Sequence, residues 1–166
     1  FKVVNGKSIA RVYPNGNLEI LSSFNKRGDV KKAKCLKNFE EKVALIKFYP
    51  GQSPDILDFY YGKKYKGIVL ELSGIGNSSE SWIKKIRTLS GKGMIFCGTS
   101  QCINGRVDGL VYSNGRKLID AGVIYLGDML SETALVKLGW VLGNKEWMKS
   151  KNLIKEKMLQ NISGKS

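Results

Sequence analysis

The stretch Val43-Ala44-Leu45-Ile46-Lys47-Phe48-Tyr49, closed by Pro50-Gly51, sets the architecture of the chain. It is a near-continuous apolar run rich in β-branched and aromatic residues, the pattern of a strand covered on both faces. Pro50-Gly51 ends it. Ser53-Pro54-Asp55 then opens a helix, with a hydroxyl cap, proline at the first position and an acid in the first turn. Ile56, Leu57, Tyr60 and Tyr61 mark its buried side. Gly67 precedes a second strand, Ile68-Val69-Leu70-Glu71-Leu72, and the glycine loop Ser73-Gly74-Ile75-Gly76-Asn77 leads into a helix around Ser79–Leu89. Met94-Ile95-Phe96-Cys97 is a third strand, followed directly by Gly98-Thr99-Ser100-Gln101. Three apolar strands separated by helical stretches predict a parallel sheet covered on both faces.

Downstream, the pattern predicts a short helix near Gly115–Ala121 and an extended piece at Val123–Tyr125. A helix over Ser131–Leu142 carries Ala134, Leu135, Leu138 and Leu142 on one face, and a last helix spans Lys145–Gln160. Upstream, Ile9–Tyr13 and Leu18–Leu21 flank the turn Pro14-Asn15-Gly16-Asn17 and read as a hairpin. Residues 23–41 are polar and lysine-rich and read as a linker. The expected fold class is therefore α/β: a small three- or four-stranded, mostly parallel sheet flanked by helices, preceded by an N-terminal hairpin and linker. The expected division is 1–42 for hairpin and basic linker and 43–166 for the α/β domain.

The chain has 166 residues, enough for one core without a disulfide or metal staple. It contains no histidine, which excludes Ser-His-Asp and Cys-His catalysis by this chain alone and any His-containing zinc site. Cys35, Cys97 and Cys102 are too few for a Cys₄ site and read as free thiols, Cys102 as a packed one. No cofactor and no metal are expected. No apolar run approaches 18 residues, and no signal-peptide pattern is read, so a cytoplasmic location is expected. The chain opens on Phe1 rather than Met, which reads as a fragment, a processed product or a shortened chain. Net charge is +14, of which residues 50–142 carry only +3. The densest basic run is Lys31-Lys32-Ala33-Lys34-Cys35-Leu36-Lys37. It lacks interleaved aromatics, which argues against a single-strand stacking platform.

In an open parallel sheet, ligands sit beyond the carboxyl ends of the strands. Two polar loops leave strands there: Ser73–Asn77, with backbone N–H groups, a hydroxyl and a carboxamide, and Thr99-Ser100-Gln101, with two hydroxyls and a carboxamide. Such a set can grip a small ligand carrying carboxylate and ammonium groups. Equally, the glycines can serve only as tight strand-to-helix turns. G-x-G falls short of a dinucleotide fingerprint, since Ser79 stands where a third glycine belongs, and no Walker loop occurs. Glu71, at a strand end, is either functional or paired with a nearby lysine.

Val43 to Gly143 resembles the C-terminal domain of type I L-asparaginases and is most similar to the D subunit of archaeal glutamyl-tRNA(Gln) amidotransferase, an asparaginase relative. The stretches that carry the resemblance are Val43–Gly51, Tyr65–Glu71, Gly74–Asn77, Thr99–Cys102 with Gly105–Val107, Val111–Arg116, Ala121–Ile124 and Gly127–Leu138. The first 42 residues resemble the segment that joins the family's two domains. The resemblance implies hydrolysis of the side-chain amide of asparagine or glutamine to acid and ammonia. The attacking threonine, a second threonine, an aspartate and a lysine belong to the family's N-terminal domain, and nothing in this chain matches them. No catalytic residue is therefore expected here.

What the resemblance implies for this chain is the smaller half of a two-domain enzyme, split or shortened. It would work with an N-terminal catalytic domain or subunit, in a hetero-oligomer with a dimeric core. In the family, the asparagine of G-x-G-N lies near the ammonium group of the bound amino acid, and that position is Asn77. The amidotransferase relatives often carry histidine there, so Asn77 departs from their pattern. Gly76, Ser100, Gln101 and Tyr112 are the remaining expected substrate-binding residues. Two readings of the activity stand: a free asparaginase, or an amidotransferase component that passes ammonia on for amidation of Glu-tRNA(Gln), with tRNA met only indirectly. Outside enzymes, the net charge leaves a basic RNA-binding module as a further reading, and an inert shortened chain as another.

Overall fold

A computed structural model describes residues 4–24, 26 and 35–162. Most of the basic run at Lys31–Lys37 thus lies outside the described residues. A two-stranded antiparallel hairpin comes first, β1 (Ala10–Val12) against β2 (Leu18–Ile20). The main sheet follows, with strands β3 (Val43–Lys47), β4 (Gly67–Leu72), β5 (Ile95–Ser100) and β6 (Val123–Tyr125). Its spatial order is β3-β4-β5-β6, and all three pairings are parallel. The strands are joined by α1 (Asp55–Gly62), α2 (Glu80–Gly91) and α3 (Ser113–Asp120), and α4 (Ser131–Gly143) and α5 (Lys151–Leu159) end the described chain.

The continuous apolar runs become intelligible once the strand period of two is applied. In β4, Ile68, Leu70 and Leu72 enter one core with Phe48, Leu57, Trp82, Ile86, Phe96 and Leu118. That core lies under α1, α2 and α3. Val69, between them, points to the opposite face and joins Cys97, Ile124, Ala134, Leu138, Ile154 and Met158 beneath α4 and α5. Both faces of β4 are covered, so no polar position appears until Glu71. Phe48 and Trp82 meet edge to face at 5.4 Å, and the Trp82 indole N–H donates to the Gln52 carbonyl at 2.9 Å. Gly67 lets α4 approach the sheet: a Cβ there would lie 2.8 Å from Leu138 Cδ2.

The expected last helix, Lys145–Gln160, is two pieces. Trp147–Lys149 form a 3₁₀ turn, Ser150 is extended at φ −153° and ψ 154°, and only Lys151 onward is α-helical. The break follows from Ser150, whose hydroxyl accepts the Leu153 N–H at 3.1 Å and so restarts the helix as an N-cap. Trp140 and Trp147 are half-buried and pack edge to face at 4.6 Å, whereas Met148 is exposed. No helix among the described residues is long and apolar enough to cross a membrane.

Candidate functional site

The carboxyl ends of β4, β5 and β6 meet at one end of the sheet. The loop from β4 to α2 closes on itself through Ser73: its N–H donates to the Asn77 carbonyl at 3.1 Å, and its own carbonyl accepts from Gly76 and Asn77 at 3.0 and 2.9 Å. The N–H groups of Gly76 and Asn77 are thereby spent inside the loop. Gly76 sits at φ +115°, and a Cβ there would lie 2.5 Å from Tyr125 Cε1, so only glycine fits. The Tyr125 hydroxyl, arriving from β6, donates to the Gly76 carbonyl at 2.6 Å. Burial, and then the nearby Asp108 carboxylate, push the Tyr125 phenol up to about 12, which keeps it a neutral donor. Asp108 N–H in turn donates to the Ile75 carbonyl at 2.8 Å. The loop is thus gripped from two sides.

Against that rigid background, Asn77 stands out. Its backbone is tied down, but its half-buried carboxamide makes no hydrogen bond with any described residue. It is a donor–acceptor group held in place by its main chain and left open to a ligand. The second loop behaves differently. Ser100 Oγ donates to the Gly74 carbonyl at 2.7 Å and accepts the Cys102 N–H at 3.0 Å, so this hydroxyl ties the two loops together. The Gln101 amide nitrogen donates to the carbonyls of Phe48 and, at 2.8 Å, Glu71, which braces β3 and β4 at their carboxyl ends. Thr99 is fully buried and shares a hydrogen bond with Ser131 at 2.8 Å. Tyr112 stands at the N-cap of α3, exposed, its hydroxyl without a described partner. Of the expected substrate-binding residues, Asn77 and Tyr112 keep free polar groups, while Gly76, Ser100 and Gln101 build the frame.

Beside this frame lies a cleft of about 240 Å³, lined by Ser100, Gln101, Cys102, Glu71, Asn5 and Glu132 among others. Cys102 is exposed there, against the expectation of a packed thiol, because the chain leaves the sheet at Ser100 and has already turned outward. Cys97, three residues inside β5, is the packed one, and burial pushes its thiol up to about 12. Glu71 pairs with no lysine among the described residues, so its carboxylate faces the cleft unneutralised. Asn5 is a residue that sequence reasoning missed. Its carboxamide accepts the Gly105 N–H at 2.7 Å and donates to the Asp128 carbonyl at 3.3 Å, pinning the loops after β5 and β6. No local pattern marks it, since its partners lie 100 and 123 residues away. Among the described residues, no cluster of acids and cysteines could hold a metal ion.

Comparison with known proteins agrees with this fold. The Glutaminase/Asparaginase C-terminal domain family matches residues 42–155. The chain is 46% identical over 165 residues to the D subunit of glutamyl-tRNA(Gln) amidotransferase from Pyrococcus abyssi, covering 99% of this chain and 37% of that protein. The protein of the same name from Thermofilum pendens is 47% identical over 148 residues, 88% of this chain and 32% of its own length. Among solved structures, the thermostable L-asparaginase from Thermococcus kodakarensis superposes with a TM-score of 0.82 at 28% identity, covering 99% of this chain and 48% of that one. L-asparaginase I from Vibrio cholerae gives 0.78 at 27% identity, with 90% and 45% covered. The chain spans 32% to 48% of the length of these relatives.

Proposed function

The chain belongs to the Glutaminase/Asparaginase C-terminal domain family, and on that footing we propose that it forms the amino-acid-binding wall of an asparaginase-type amidohydrolase. A partner domain or subunit supplies the threonine nucleophile; together they hydrolyse the side-chain amide of L-asparagine or L-glutamine to acid and ammonia. The observation that carries the reading is the Asn77 carboxamide, open to a ligand on a loop fixed by Gly76 and Tyr125. A rigid loop with one free polar group suits a domain that orients substrate and leaves bond-breaking to another. Ser100 ties that loop to the turn after β5, Gln101 braces the ends of β3 and β4, and Tyr112 stands exposed at the N-cap of α3. The reaction needs no cofactor, and it runs in the cytoplasm.

A second reading concerns where the ammonia goes. The identity of 46% to the D subunit of a glutamyl-tRNA(Gln) amidotransferase, against 28% to an L-asparaginase, favours delivery to a further protein that amidates Glu-tRNA(Gln). The test is ammonia release from L-asparagine and L-glutamine, by this chain alone and after mixing with the amino-terminal catalytic domain. The proposal expects release only from the mixture. Release by the chain alone would overturn it. Release that rises when Glu-tRNA(Gln) and the amidating protein are added would select the second reading.

A further inference from the structure

At the other end of the same sheet, where the strands begin, five lysines outnumber the acids Glu40, Glu41 and Asp120. Lys42 precedes β3, Lys63, Lys64 and Lys66 fill the turn from α1 into β4, and Lys92 follows α2 ahead of β5. They form one patch. Lys42 Nζ donates to the Lys63 carbonyl at 3.0 Å, and Lys66 N–H to the Lys42 carbonyl at 2.8 Å. All five are exposed, and none makes an ion pair with a described residue. The nearest acids in sequence are Glu40, whose carboxylate is turned back on the Lys42 N–H at 2.9 Å, and Glu41.

Two further observations set this patch apart from scattered surface charge. Lys63 and Lys92 hold their ammonium groups 5.9 and 5.4 Å from the ring centres of Phe59 and Tyr61, two exposed aromatics in the last turn of α1. Such contacts restrict long, flexible side chains and keep the charge at the surface. Second, Lys64 occupies φ +66°, the left-handed position that closes α1. The turn is a Schellman motif, with Tyr65 N–H on the Tyr60 carbonyl and Lys64 N–H on the Tyr61 carbonyl, and glycine is the residue that fits there without strain. A lysine at a position where glycine fits without strain points to use of its side chain.

We infer that this amino-terminal end of the sheet is a docking surface for the phosphodiester backbone of RNA. Three strand starts at a spacing of about 4.8 Å make a basic row roughly 10 Å long, along which the phosphates of one RNA strand can lie. The site is at the opposite end of the strands from the Asn77 loop, and it stands whether or not that loop binds an amino-acid amide. It differs from the lysine run near residue 31, having aromatics interleaved with its cations.

The experiment is fluorescence anisotropy of the whole chain with a labelled single-stranded RNA of about 20 nucleotides, at salt between roughly 50 and 200 mM. The triple variant Lys63→Gln, Lys64→Gln, Lys92→Gln is compared with Lys84→Gln, Arg87→Gln, Lys155→Gln, which removes equal charge elsewhere. The inference expects the first variant to bind at least about tenfold more weakly and its salt slope to shrink by about 2, with the control within about threefold. Lys64→Gly should melt at a higher temperature and yet bind RNA more weakly. Equal weakening in both triple variants would overturn the site, as would no RNA binding by the unmodified chain. Patch-dependent binding to anionic vesicles without RNA binding would overturn it as well.

Discussion

At the carboxyl ends of β3 to β6 the chain spends its polar side chains on the loop backbone; at the amino ends it leaves its lysines without ion pairs among the described residues. The first end is a frame. Ser100, Gln101, Tyr125 and Asn5 each bridge separate loops, and the Asn77 carboxamide is left over. The second end is a surface of exposed cations on short turns, two of them steadied by aromatic rings. Parallel strands make the two ends different in kind, because every strand delivers its carboxyl end to the same side. Order and charge are thereby placed apart: fixed geometry at the end proposed to orient a small molecule, and exposed charge at the end proposed to meet a polyanion.

Substitutions can disturb both ends, or one at a time. Phe96→Ala removes a fully buried ring in the middle of β5 and should cost about 3–5 kcal/mol in urea unfolding, abolishing both sites together. Gly76→Ala attacks the frame alone. A Cβ 2.5 Å from the Tyr125 ring at φ +115° should cost about 2–3 kcal/mol and displace Asn77, with RNA binding retained if the folded fraction is kept high.

A pH series probes the ground between the ends. Cys97 ionises near 9.0 when unfolded and near 12 when folded. Above pH 9 the unfolded chain therefore binds fewer protons than the folded one, and stability is lost as pH rises. The expected slope is about 1.4 kcal/mol per pH unit between pH 9 and 12 from this thiol. Tyr125 adds to the loss above pH 10, in the same direction. Equilibrium unfolding of Cys97→Ala should show a visibly shallower slope. The smallest effect is confined to the amino end. Lys64→Gly relieves a left-handed φ and should stabilise the chain by about 1 kcal/mol, leaving the frame untouched.

How much of this is legible in the residues follows from range. The sheet is, because continuous apolar runs separated by helical spacing admit few arrangements, and the four strands pair in the parallel order such runs require. The helix break at Ser150 is not: the apolar spacing runs on past it, and only the hydroxyl contact to Leu153 N–H reveals the restart. At the candidate site, Asn77 and Gly76 are singled out by the resemblance to asparaginases, and the tight turn that Gly76 makes is seen in its φ of +115°. The division of labour is not visible, since Ser100 and Gln101 look like ligand groups until their partners Gly74, Phe48 and Glu71 are in view. Cys102 reads as packed and is exposed, because a strand's end cannot be fixed to within two residues by composition. Asn5 and Tyr125 act across long separations that no local window spans.

The most direct test is steady-state amide hydrolysis by this chain combined with the proposed amino-terminal catalytic domain, with and without Asn77→Ala. A hydrogen bond to a charged group is worth about 1.5–3 kcal/mol, so kcat/KM should fall roughly 10- to 100-fold, mainly through KM, while the unfolding midpoint stays put. Unchanged kcat/KM in a folded Asn77→Ala enzyme would contradict this reading, because the one free carboxamide of the frame would then have nothing to hold.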